Sequence, residues 1–245
     1  MKIISKIKIH IFFYLVALIA VLTGLFKEFL ILTSIIIVHE IGHISASLYF
    51  KWNIDKIIIL PFGGLTVFNE KINKPINEEL VILLLGPIFQ IMYAIIFYNP
   101  LILKYHYALL LFNLLPIYPL DGSKLINILF NKLLPFKLSH ILTLYLSFLV
   151  IIICLTLHLD LLFILILLLL IINVIKELNN HKYIFNKFLL ERYFYHFNFK
   201  KNKIIKGHFF NKMFRDYKHL FYIENKYHSE KEMISKMFDN KDKLW

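Results

Sequence analysis

The chain has 245 residues, 59% of them hydrophobic, and a formal net charge of +12. Soluble domains are about 45–50% apolar, and here the excess is gathered in blocks of about 18–22 residues, the length that crosses a hydrocarbon core. That excludes an ordinary soluble domain and predicts an all-α polytopic membrane protein. The single cysteine, Cys154, further excludes an internal disulfide and a cysteine-based zinc site, so any metal must be held by histidine and carboxylate.

Six transmembrane helices are expected, over about residues 9–26, 29–50, 80–98, 105–122, 138–157 and 159–175. The first follows Lys2, Lys6 and Lys8. It is longer than the apolar core of a signal peptide, about 7–15 residues, and reads as an uncleaved helix. Between the second and third spans, residues 57–60 and 65–68 read as two short strands joined by a turn at 61–64. Such a hairpin either lies at the interface or offers an edge strand to an extended substrate. Residues 1–175 form the six-span membrane domain. Residues 176–199 mix aromatic and basic groups and read as an amphipathic interfacial linker. Residues 200–245 alternate polar and apolar positions and read as a small cytosolic α/β tail.

Lysines set the orientation. With the N-terminus inside, the inner segments also hold Lys51, Lys56, Lys71, Lys74, Lys124, Lys132 and Lys137, while the outer turns hold only Lys27 and Lys104. Both termini are then cytosolic. From residue 176 onward there are 16 basic and 8 acidic residues, which sets a basic tail beside the anionic lipid of the bilayer. No nucleic-acid motif accompanies that charge, so direct nucleic-acid binding is not expected.

The second span contains IIIVHEIGHISA, residues 35–46. His39 and His43 stand at i and i+4, on one helix face, where two imidazoles can reach one metal ion. Glu40 lies beside the first of them, placed to activate a water on that metal. A surface histidine pair is the bland alternative, but a carboxylate at mid-membrane depth costs about 2.5–3.5 kcal/mol on insertion scales and marks a site. A third ligand is needed. Asp160 falls at the outer edge of the sixth span and reads as a solvated helix end. Asp121 falls in FNLLPIYPLDGSKL, residues 112–125, on the same cytosolic side as His43. Pro116 and Pro119 interrupt helical hydrogen bonding there, and broken backbone at that depth needs a protein or water-filled cavity around it.

These residues carry a resemblance. HEIGH at 39–43, followed about 80 residues later by NLLP at 113–116 and LDG at 120–122, resembles the site-2 protease family of intramembrane zinc metalloproteases, peptidase family M50. Gly86, within LLLGPIFQ, matches a glycine of that family, and LPFGG at 60–64, NLLPIYPLDG at 113–122 and KFLLERY at 187–193 resemble its sporulation branch. The resemblance runs from residue 1 to about 195. It implies a three-helix core made of spans 29–50, 80–98 and 105–122, one zinc per protomer held by His39, His43 and Asp121, and Glu40 as the base. Asn113 orients substrate or helps stabilise the oxyanion, unless its amide only satisfies the backbone broken near Pro116. In that branch the substrate is the membrane-tethered precursor of sigma-K, and inhibitory membrane partners hold the protease silent until signalled.

One departure stands out. The sporulation branch carries a cytosolic nucleotide-sensing domain of the cystathionine-beta-synthase (CBS) type, and the tail here resembles only half of one. ATP binding within one chain is therefore left open. Two chains pairing their halves as a homo-oligomer, or a tail that only docks substrate, are the alternatives. Two other functional classes compete with the protease reading. A metal or ion transporter would show paired repeats, and none is visible. An inactive scaffold is most easily reached by losing Glu40, which is present.

Overall fold

The computed structural model describes residues 3–60, 63–157, 161–199 and 201–239. The chain forms two compact units. One holds the residues up to Glu70 together with Asn77–Leu114; the other holds the linker Lys71–Ile76 and the chain from Leu115 onward.

After a 3-10 turn at Ile3–Lys6, the first unit forms a short strand, β1 (Ile7–Ile9), where the first membrane span was expected to begin. Its alternation of isoleucine and lysine suits a pleated edge, and it pairs in parallel with β2 (Ile54–Leu60), Ile7 opposite Ile57 and Ile9 opposite Ile59. β2 turns back antiparallel into β3 (Gly63–Phe68), so β3 forms an edge of a three-stranded sheet in the order β1-β2-β3. The expected hairpin is present, but β2 begins three residues early. Gly63 and Gly64 belong to β3 and not to a turn, while Pro61 and Phe62 lie outside the described residues.

Four helices complete this unit. α1 (Ile11–Leu22) has 12 residues and α4 (Pro100–Leu114) has 15, roughly 18 and 22 Å at 1.5 Å per residue. Both are apolar but shorter than the hydrocarbon core of about 30 Å. α2 (Phe26–Tyr49) and α3 (Ile76–Ile96) are long and apolar enough to cross it. On α2 the buried positions Ile35, Ile36, His39, Gly42, His43 and Ala46 repeat at helical spacing, while Leu30, Ile37, Ile41 and Leu48 are exposed. The outward face is thus as apolar as the inward one, the pattern of a helix solvated by lipid. Ile35 and Ile36 pack on Leu109 of α4, and Ala46 packs with Trp52 and Ile82 of α3.

In the second unit, α5 (Asp121–Leu133) is amphipathic and starts where residues 115–120 break the helix expected to run to 122. α6 (Phe136–Leu157) presents Ser139, Thr143 and Ser147 as one buried stripe of small residues at i, i+4 and i+8, the kind of surface that lets helices approach closely in lipid. Asn127 of α5 donates to Thr143, and the Tyr118 amide donates to Ser147. α7 (Leu161–Phe194) was expected to end near residue 175 and be followed by a separate linker helix. It runs unbroken for 34 residues, because the change from apolar to charged residues at 176 introduces neither glycine nor proline. α6 and α7 are the remaining two of four helices, among the described residues, that are long and apolar enough to span a bilayer. Asp160 lies outside the described residues.

The tail is a small α/β piece, as expected. β4 (Lys201–Lys206) pairs in parallel with β5 (Tyr217–Ile223), β5 turns into β6 (Lys226–Ser229), and α8 (Glu230–Asp239) follows. Its core is continuous with α7. Phe188 stacks on Phe136 at 4.3 Å and shares a buried cluster with Leu189, Ile205, Phe221 and Ile234. Each such side chain contributes roughly 1.5–3 kcal/mol on burial.

Candidate active site

α2 brings His39, Glu40 and His43 together by helix geometry alone, and all three are buried. The two imidazoles stand edge to face, with their Nε2 atoms 3.0 Å apart. What each ring does is settled by its other nitrogen. His43 Nδ1 lies 2.8 Å from the carbonyl oxygen of Ile82, which only accepts, so Nδ1 carries the proton. Gln90 of α3 donates its amide to the His106 carbonyl at 3.0 Å and lies 3.2 Å from His106 Nδ1. That orients its oxygen toward His39, where it accepts from Nδ1 at 2.9 Å. As neutral imidazoles, both rings therefore turn the Nε2 lone pair toward the same point.

Two such lone pairs facing each other at 3.0 Å are well placed to share a cation. Zinc bonded tetrahedrally to two imidazoles at about 2.0–2.1 Å sets the two nitrogens roughly 3.3 Å apart, close to the spacing found here. The donor set thus fits zinc, and Gln90 and the Ile82 carbonyl fix the direction in which the two rings point.

Two close backbone approaches make room for these rings. A Cβ on Gly42 would overlap the backbone of Leu85 and Gly86, so α2 and α3 touch main chain to main chain. A Cβ on Gly86 would overlap the imidazole of His43. Gly86 therefore has a physical task, which is to leave space for the His43 ring.

β3 closes over Glu40. Thr66, itself buried, donates its hydroxyl to Glu40 Oε2 at 2.6 Å, and a Cβ on Gly64 would overlap the Glu40 carboxylate. On the adjacent residue, a Cβ at Gly63 would lie 3.5 Å from the side-chain oxygen of Asn113. Successive strand residues face opposite ways, so the start of β3 runs between the Glu40 carboxylate and the Asn113 amide. Asp121 belongs to the second unit. It heads α5, its side chain is 12% exposed, and it pairs with Lys124 at 3.1 Å. The sequence gives no individual role to Gln90, His106, Thr66 or Gly64, and Gln90 and Gly64 enter it only inside the LLLGPIFQ and LPFGG motifs. An amide and an imidazole inside apolar spans were a usable signal for Gln90 and His106; a single threonine in a short strand offered none.

A buried histidine pair that can share a cation, beside a carboxylate held by a hydroxyl on a helix long and apolar enough to span a bilayer, suits a membrane metallohydrolase. The sequence profile of Peptidase family M50 matches residues 27–107, which include all of α2 but its first residue, both strands of the hairpin and α3. Stage IV sporulation protein FB of Bacillus subtilis is 34% identical over 211 residues, 79% of this chain and 73% of that protein. A zinc metalloprotease of Methanocaldococcus jannaschii is 29% identical over 119 residues, 42% of this chain and 34% of the relative. Among solved structures, a site-2 protease from Methanocaldococcus jannaschii aligns with a TM-score of 0.54 over 70% of this chain and 89% of its own, at 23% identity, a likeness of fold. The chain belongs to peptidase family M50 and is an integral membrane zinc metalloprotease.

Proposed function

We propose that this metalloprotease cleaves a membrane-tethered protein within or near the bilayer, and that its substrate is the sigma-K precursor of a sporulating cell. Bound zinc supplies Lewis acidity, polarising the scissile carbonyl and easing loss of a proton from water. Zinc, one per protomer, would be held by His39, His43 and Asp121. Two imidazoles leave a catalytic zinc one protein ligand short of its usual three, and Asp121 is a largely buried carboxylate at the start of a helix that follows a broken segment. Glu40 takes the proton from the attacking water and returns it to the leaving amine, with Thr66 fixing the carboxylate that must do both. Asn113, beside the first residue of β3, orients the substrate backbone.

The observation that carries the reading is the pair of converging Nε2 atoms next to Glu40. Six spans, with α1 and α4 as the short ones, put both termini in the cytosol by the lysine distribution. The likeness to stage IV sporulation protein FB supports the sporulation setting, the sigma-K precursor and regulation by inhibitory membrane partners. The tail's strand order and closing helix support its likeness to half of a CBS-type domain, with a second copy supplying the other half.

Co-expression with the sigma-K precursor tests the substrate. A shortened product that appears with the native chain and vanishes with Asp121→Ala, accompanied by weakened zinc binding, is expected. Full processing by Asp121→Ala with normal zinc content removes that residue from the site.

A further inference from the structure

The KFLLERY segment lies far from the histidine pair in sequence, and the proteolytic reaction assigns it no task. The structure gives it one. Glu191 and Arg192, both buried near the end of α7, grip Asn73 in the linker Lys71–Ile76. Glu191 Oε2 accepts from the Asn73 backbone amide at 3.1 Å and from its side-chain amide at 3.0 Å. The same side-chain amide donates to the Phe188 carbonyl at 3.0 Å. Arg192 Nε donates to the Asn73 oxygen at 2.7 Å. Asn73 thereby uses both amide hydrogens and its oxygen on one helix end. Arg215 of the tail adds a bond to the Lys74 carbonyl at 3.1 Å.

Arg192 also faces the tail. Its terminal nitrogens donate to the carbonyls of Phe214, Arg215 and Tyr217 and to Glu230 of α8. One guanidinium thus ties the linker to three tail carbonyls and a tail carboxylate. Arginine alone supplies that many donors in a fixed plane. In its contacts the linker belongs with the tail and not with the elements it joins.

Those elements are the two walls of the catalytic site. Seven residues before Asn73 is Thr66, on Glu40; nine residues after it is Ile82, whose carbonyl holds His43, followed by Gly86 and Gln90. We infer that Asn73 is a positioning residue: clamped by Glu191 and Arg192, it lets the tail fix where β3 and the start of α3 meet the catalytic carboxylate and the histidine pair. The inference rests on the reading of Glu40 as the base. It goes beyond a tail that merely docks substrate, because it makes seating of the tail a condition for turnover of substrate already bound.

The test compares Asn73→Ala, Glu191→Ala and Glu191→Gln in the full-length chain, with the sigma-K precursor as probe. Asn73→Ala should lower kcat by about tenfold or more, as small misplacements of catalytic groups do, with KM changed less than about threefold and zinc retained. Amides of residues 63–68 and 76–82 should exchange with deuterium faster, while those of α6 do not. Glu191→Ala should act in the same direction more weakly, which keeps the test open if Asn73→Ala does not fold. Glu191→Gln keeps an acceptor for Asn73 and should behave as the native chain. Unchanged exchange in 63–68, or a rise in KM with kcat intact, overturns the inference in favour of simple docking. So does equal damage by Glu191→Gln and Glu191→Ala, since charge and not the clamp would then matter. Glu40→Gln serves as control: if it cleaves the probe as well as the native chain does, the base assignment fails, and the exchange comparison still decides the clamp.

Discussion

Thr66 donates a 2.6 Å hydrogen bond to the buried carboxylate of Glu40, tying an edge strand to the proposed base. A hydrogen bond to a charged acceptor contributes about 1.5–3 kcal/mol, so its loss corresponds to a rate change of roughly ten- to a hundredfold. Thr66→Val should lower cleavage by that factor with zinc content unchanged, and Thr66→Ser should restore most of it. Equal activity of all three, measured on the sigma-K precursor, would show that Glu40 is oriented by something else.

Gln90 holds His39 through Nδ1 and is itself held by His106. Outer partners of this kind typically account for 10–100-fold in metal affinity. Gln90→Leu fills the same space without the acceptor and should weaken zinc binding by about that much. Competition with a chelator of known affinity measures it; native affinity in the variant would contradict the tautomer assignment.

Much of this centre was legible in the sequence, and the division has a physical basis. His39, Glu40 and His43 are set by spacing on one helix, so no long-range folding has to be guessed. Thr66 and Gly64 reach Glu40 only because a hairpin folds back over α2, a contact that spacing cannot reveal. The hairpin itself was readable from its β-branched runs and glycines, whereas β1 was not. Its three residues find their partner about 50 positions later and otherwise look like the start of a span. The break after α4 followed from Pro116 and Pro119. The continuity of α7 past residue 175 did not, because a change in polarity marks a change of surroundings and not the end of a helix. Arg192 was visible only as part of a family likeness; its role depends on carbonyls more than 20 residues further on.

Two glycines should separate binding from catalysis. Gly86→Ala places a methyl group in the His43 ring, and Gly64→Ala places one in the Glu40 carboxylate. The first should cost zinc and cleavage together, by about tenfold or more in affinity. The second should abolish cleavage and leave zinc bound. Metal analysis and precursor processing on the same preparations check both; matching losses in the two variants would mean general misfolding.

The tail should loosen in acid. Burial holds the His219 imidazole below its ordinary range, opposed by Glu230 and reinforced by the nearby Arg192 and Lys203. Its Nε2 accepts from the Phe214 amide at 3.0 Å while Nδ1 faces Glu230 at 2.7 Å, so the ring is held neutral. A histidine with a depressed folded pKa contributes its full stability above the unfolded value, about 6.5, and loses it as pH falls below that value toward the folded one. Exchange protection of β5 amides should therefore fall between pH 7.5 and 5.5, and His219→Asn should lose that slope. Protection that is flat or rises on acidification would contradict the neutral ring.

The most direct measurement is zinc content and precursor cleavage, side by side, for the native chain and Glu40→Gln. The converging histidines predict about one zinc per protomer in both, because the substitution leaves every proposed ligand in place, and a shortened product only with the native chain, because the amide cannot take the proton of the attacking water. A native chain that folds without taking up zinc, or a Glu40→Gln variant that cleaves at the native rate, would contradict a zinc protease built on His39, Glu40 and His43.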